Sequence, residues 1–190
     1  MKTAIIIHGM PEKEEYLRLG AERSLESHFL PWIKKQLEEK GFQAENPHMP
    51  VPYNPEYNAW KEVFERFPLN EETTLIGHSC GAGFIVRYLS ENNIHVGKVV
   101  LVAPWIDPDK ILETGMFDFT PDENLVSKTK GITIFNSDDD MEEVQKSVKI
   151  LTEKIKNIEV REFQNMGHFC FEDMGTEEFP ELLEEVEKVR

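Results

Sequence analysis

Short apolar runs alternate with amphipathic stretches from one end of the chain to the other, and no other feature of the sequence restricts its fold so tightly. Such alternation is what βα units stacked into a mostly parallel sheet require. Strands are expected at 3–7, 42–45, 73–76, 98–102, 132–135 and 159–163. The first and fourth are apolar almost end to end, as strands buried on both faces should be. Between them, Pro31 suits a first helical position, Trp32, Ile33 and Leu37 follow, and Gly41 closes the helix. Tyr57, Trp60, Phe64 and Phe67 recur at helical spacing before Pro68 stops the run. Val144, Val148, Leu151 and Ile155 form a clear stripe, and Leu182, Leu183, Val186 and Val189 another; both read as core-facing packing rather than a cofactor surface. The expectation is a three-layer α/β/α domain spanning 1–190, with about six mostly parallel strands flanked by helices.

Two stretches look irregular: 46–55, with four prolines, and 103–130, with Pro104, Pro108 and Pro121. The second carries Trp105, Met116, Phe117 and Phe119. These residues are candidates to bind substrate by covering a pocket, or else they tuck a surface loop down.

The chain has 190 residues, 21 basic against 36 acidic, for a formal charge of −15, which disfavours nucleic-acid recognition because phosphates need concentrated positive charge. No apolar run is long enough to cross a bilayer, and the opening apolar stretch ends at His8-Gly9 before any cleavage-like site. A cytoplasmic protein with no membrane contact is expected. Two cysteines, Cys80 and Cys170, make no disulfide framework and no paired metal-ligand spacing. Asp138 to Asp140 with Glu142 and Glu143 lack the alternation and glycine of a calcium loop, and Val86 stands where a dinucleotide fingerprint needs its third glycine. Neither a metal nor a cofactor is expected.

Chemistry concentrates at Gly77-His78-Ser79-Cys80-Gly81, directly after an expected strand and before a helical segment. The string fits a nucleophile elbow, a strained strand-to-helix turn that raises the serine hydroxyl above the sheet. A serine needs a base to take its proton and a carboxylate to orient that base. In this chain order the acid follows the next-to-last strand and the histidine follows the last. Asp138, Asp139 and Asp140 fill the first position and His168 the second. His8, at the end of the first strand, also faces the crevice and rivals His168, whereas His28, His48, His78 and His95 lack a suitable position. Oxyanion donors are expected from the Cys80 amide and from the Met10 amide after Gly9. Cys80 itself reads as packing.

His8-Gly9, the segment from Phe29 to Gly41, Trp60, the serine turn, Ala103-Pro104, the aspartate run and Gly167-His168-Phe169 together resemble the YdeN-like family of small serine hydrolases, a compact branch of the α/β-hydrolase fold. The resemblance covers nearly the whole chain. It implies Ser79 as nucleophile, His168 as base and Asp140 as the acid. The expected activity is hydrolysis of small carboxylic esters or related acyl substrates through a Ser79 acyl-enzyme. The alternative is a protein-interaction module on a hydrolase scaffold, its partner unknown.

Overall fold

In the computed structural model, which describes residues 2–20 and 28–188, six strands form one sheet. They are β1 (Thr3–Ile7), β2 (Gln43–Glu45), β3 (Thr73–His78), β4 (Val99–Val102), β5 (Ile132–Ser137) and β6 (Glu159–Phe163), in the order β2-β1-β3-β4-β5-β6. Every pairing is parallel. All residues of β3, β4 and β5 are buried, which follows from helices covering both faces. β6, at one edge, is partly exposed.

β3 and β5 run two residues further than their apolar stretches suggest, through Gly77-His78 and Asn136-Ser137. The ladder accounts for this: His78 pairs in register with Val102 and Ser137 with Phe163. Polar side chains end these strands because each finds a use there: His78 lines the crevice above the sheet, Asn136 donates to Gln145 at 3.1 Å and Glu162 at 2.9 Å, and the Ser137 hydroxyl donates to Asp139.

The helices are α1 (Lys13–Leu19), α2 (Leu30–Glu39), α3 (Tyr57–Phe64), α4 (Cys80–Glu91), α5 (Glu142–Lys154), α6 (Phe171–Met174) and α7 (Pro180–Glu187). α2 buries Leu30, Ile33 and Leu37 and is followed by Gly41 at φ 83°. α5 buries Val144, Val148 and Leu151, while α7 buries Leu182 and Val186. Val189, assigned to the last stripe, lies outside the described residues. α2 and α7 touch each other, whereas α3 and α4 share an aromatic cluster in which Phe84 meets Trp60 at 5.7 Å and Phe64 at 5.4 Å between ring centroids. α2 packs on β1 and β2, α4 on β3 and β4, and α5 on β5. Each buried aromatic contributes roughly 1.5–3 kcal/mol by area.

The stretch 103–130 stays irregular apart from one 3₁₀ turn at Leu125–Lys128. It is strapped to α4: Arg87 Nη1 donates to the carbonyls of Gly115 (2.5 Å) and Met116 (2.8 Å), and its guanidinium lies 3.7 Å over the Tyr57 ring. Asp107 accepts the Ile111 and Leu112 amides at 2.8 and 2.9 Å.

Candidate active site

Ser79 stands between β3 and α4 at φ 53°, ψ −120°, a conformation that a residue with a Cβ adopts only when its surroundings over-determine it. Four backbone hydrogen bonds do so. The Ser79 amide donates to the Val102 carbonyl at 2.9 Å, and its own carbonyl accepts from Ala82 (3.0 Å), Gly83 (3.1 Å) and Trp105 (3.1 Å). The flanking glycines are sterically required: a Cβ on Gly77 would sit 2.5 Å from Ala82 Cα, and one on Gly81 would strike the carbonyls of Ile7 and His8. Gly9 presses against the serine from β1, where a Cβ would come within 3.2 Å of Ser79 Cβ. Cys80 opens α4, so its amide has no intrahelical acceptor and lies at the positive end of the helix dipole. The Cys80 thiol is fully buried and burial pushes its ionisation far up, which leaves it without nucleophilic character.

His168 follows β6, and three adjacent aspartates after β5 do different work on its loop. Asp140, its side chain wholly shielded from solvent, accepts from His168 Nδ1 at 2.9 and 3.1 Å through its two oxygens. Asp138 accepts the Asn165 amide at 3.0 Å. Asp139 accepts the Gly167 amide at 2.9 Å and the Ser137 hydroxyl at 2.6 Å, and these bonds hold its carboxyl below the usual range. Ser137 in turn accepts the Met166 amide at 2.9 Å. From beyond the loop, Asp173 accepts the His168 amide at 2.9 Å. A Cβ on Gly167, at φ 50°, would strike Asp173.

His8 and His78 are committed elsewhere. His8 Nδ1 donates to the Gly9 carbonyl at 2.7 Å while Nε2 accepts the Met49 amide at 3.0 Å, and the ring meets Trp60 edge-on at 5.5 Å. With both nitrogens engaged it fastens the proline-rich stretch 46–55 to the end of β1, and burial pushes its pKa down to about 4. His78, also buried and held well below the ordinary histidine range by desolvation, donates from Nε2 to the His168 carbonyl at 2.9 Å and packs its ring 4.9 Å from that of His168. No signal in the sequence marks His78 for this task; it is the splint between the serine turn and the histidine loop. His48 and His95 are exposed.

Ser79 and His168 open into one cavity of about 440 Å³, where Gly9 and Met10 form the side nearest β1. Its further lining comes from Glu12, Glu15 and Leu19 on and before α1, His28 and Leu30 at the start of α2, and Cys170 and Glu172 at α6. Trp105, Met116, Phe117 and Phe119 are absent from that lining, which corrects the expected substrate pocket. The Phe117 ring and the Trp105 backbone pack on the helix instead. Gly83 leaves room for the Trp105 carbonyl and the Phe117 ring to close on α4, Trp105 meets Phe117 edge-on at 5.5 Å, and Met116 is fully buried. The lining residues on α1 and α6 escaped the sequence reading because both helices are short and bury none of their residues. No core stripe announces them.

Known proteins are similar to this chain in sequence and in fold. A family model described as serine hydrolase matches residues 16–188. The protein YdeN of Bacillus subtilis (strain 168) is 29% identical over 178 residues, which cover 88% of this chain and 91% of that one. The crystal structure of the B. subtilis ydeN gene product superposes with a TM-score of 0.80 at 26% identity, covering 98% of this chain and 97% of the other. Est1E of Butyrivibrio proteoclasticus, in a structure with ferulic acid bound, gives a TM-score of 0.64 at 16% identity over 99% of this chain and 90% of its own. The fold is that of the α/β-hydrolases.

Proposed function

The chain belongs to the serine hydrolase family, and from that membership we propose that it cleaves small carboxylic esters, or related acyl substrates, through an acyl-enzyme on Ser79. The observation that carries this reading is the His168–Asp140 hydrogen bond at 2.9 Å beside a cavity that Ser79 also lines. Asp140 keeps the His168 proton on Nδ1, so Nε2 remains the base. Ser79 Oγ attacks the substrate carbonyl carbon and its proton passes to Nε2. Negative charge gathers on the former carbonyl oxygen, to which the Cys80 and Met10 amides donate, preset by the helix start and by the Gly9 turn. Collapse expels the alcohol, which leaves with the proton from His168. A water then attacks the ester on Ser79 by the same relay and frees the acid.

The reading is supported by the nucleophile-elbow geometry of Ser79 and by the ester-type neighbour Est1E, whose bound ferulic acid carries a carboxyl group of the kind an ester hydrolase releases. A serine-directed fluorophosphonate tests it directly. Peptide mapping should find the adduct on Ser79, and Ser79→Ala should lose both the label and about 10⁴-fold or more of turnover on a panel of acyl esters. A label on Cys80 or Cys170, or one that survives Ser79→Ala, would end this reading and leave the interaction-module alternative.

A further inference from the structure

Within the cavity wall, one ring nitrogen of His28, Cys170 Sγ and a Glu172 carboxylate oxygen lie within 4.8 Å of one another. The acyl-transfer steps use none of the three. They come from segments far apart in sequence: His28, at φ 62°, precedes α2, while Cys170 and Glu172 flank Phe171 at the start of α6. The two segments are already tied, because the Phe171 amide donates to His28 Nδ1 at 3.1 Å. Glu172 Oε2 stands 3.8 Å from that same nitrogen, near the ligand-to-ligand edge of about 3.4 Å in a tetrahedral site with bonds of about 2.1 Å. Cys170 Sγ lies 3.8 Å from the His168 carbonyl, so the cluster adjoins the histidine loop.

Imidazole, thiol and carboxylate form a mixed donor set that suits zinc with three protein ligands and one open position. Magnesium and calcium prefer oxygen and discriminate against the sulfur. Glu12 and Glu15, also in the cavity lining, add negative charge that draws in a cation. We propose that His28, Cys170 and Glu172 form a zinc site in the wall of the active-site cavity, and that zinc bound there reversibly inhibits the hydrolase. The zinc takes the Nδ1 lone pair from the Phe171 amide, the thiol proton leaves to solvent, and water departs from the ion; no electron changes hands. Inhibition follows because the ion occupies space beside Ser79 and adds positive charge next to a histidine that must accept a proton. The inhibitory half rests on the hydrolase reading, whereas the binding half does not.

Full-length protein cleared of metal is titrated with zinc chloride by calorimetry, and separately with cobalt(II), whose thiolate charge-transfer band in the near ultraviolet reports sulfur ligation. Cys80 is fully buried, so that band reports Cys170. One equivalent should bind, the band should vanish in Cys170→Ser, and His28→Gln or Glu172→Gln should weaken zinc by at least about tenfold, since even outer-shell partners cost that much. Zinc should slow fluorophosphonate labelling of Ser79, a chelator should restore it, and Cys170→Ser should need about tenfold more zinc, each variant being scaled to its own metal-free rate. Binding and inhibition unchanged in Cys170→Ser would place the ion on His168 and overturn the site, as would the lack of a thiolate band. Stoichiometric binding with the thiolate band in a protein that does not hydrolyse esters would overturn the inhibitory half alone.

Discussion

At the scale of single residues, three consecutive aspartates with the same side chain are set apart only by which way the turn after β5 sends each one. Asp140 reaches the His168 ring, whereas Asp138 and Asp139 reach backbone amides of the loop that carries it. Asp140→Asn should therefore lower turnover by about 10⁴-fold through the wrong histidine tautomer. Asp138→Asn should change turnover only a few-fold, and Asp139→Asn should fall between, since it loosens the loop without touching the ring. Steady-state kinetics of the three variants check the order, and equal losses at all three would refute the division of labour. The serine and the histidine were legible from glycine spacing and chain order, but a run of identical carboxylates holds no such signal, and only the resemblance favoured Asp140. His8 makes a second residue-scale case. Between pH 6.5 and about 4 the unfolded chain carries a proton on this ring that the folded chain refuses. Stability is therefore fully present above 6.5 and is lost as pH falls through that window, by on the order of 3 kcal/mol for this ring alone. Burial lowers His28 and His78 as well, in the same direction. Urea midpoints should drop with acid across this range in the native chain, and the drop should be shallower in His8→Asn.

Among the elements, the four inner strands could be read from their apolar runs, because a parallel sheet covered on both faces leaves that record. The edge strands β2 and β6 are mixed in composition and partly exposed, and were legible mainly from their place between helical stretches. The cavity wall could not be read. α1 and α6 face it without burying a residue, whereas the Phe117 ring and the Trp105 backbone close on α4 at Gly83. Gly83 was the clue to their destination, a glycine inside a helix that marks a close approach. Gly83→Ala gives this account a sign to test. Helix propensity alone would gain about 1 kcal/mol, but the new Cβ would strike the Trp105 carbonyl, which is backbone and cannot swing aside, and the Phe117 ring at 2.7 Å. Overpacking of this kind costs typically 1–3 kcal/mol, so the melting temperature should fall. A rise would show that the 103–130 strap yields to the extra methyl and is not held tightly on α4. In the same sense Met116→Ala should destabilise by about 2–5 kcal/mol and leave acyl-chain preference alone, whereas Leu30→Ala, in the cavity wall, should shift that preference.

For the whole molecule, a formal charge of −15 acts together with a cavity lined by Glu12, Glu15 and Glu172, and among the described residues by no lysine or arginine. No helix among the described residues is long and apolar enough to cross a membrane. The field at the cavity mouth therefore repels anions and gathers cations before any contact forms. Such steering is screened over about 10 Å at 0.1 M salt, which turns substrate charge into a measurable slope. For three esters of one acyl chain that differ only in the charge of the alcohol, kcat/KM at low salt should fall in the order cationic, neutral, anionic. Adding salt should lower the first, leave the second, and raise the third, while kcat itself should barely move because the proposed relay runs between groups in direct contact with one another, His168 and Asp140 at 2.9 Å among them. The three lines should converge at high salt on a value set by acyl fit alone. If the anionic ester leads at low salt, or if all three respond alike, the charge of the molecule does not select its substrates, and preference must come from shape within the 440 Å³ cavity.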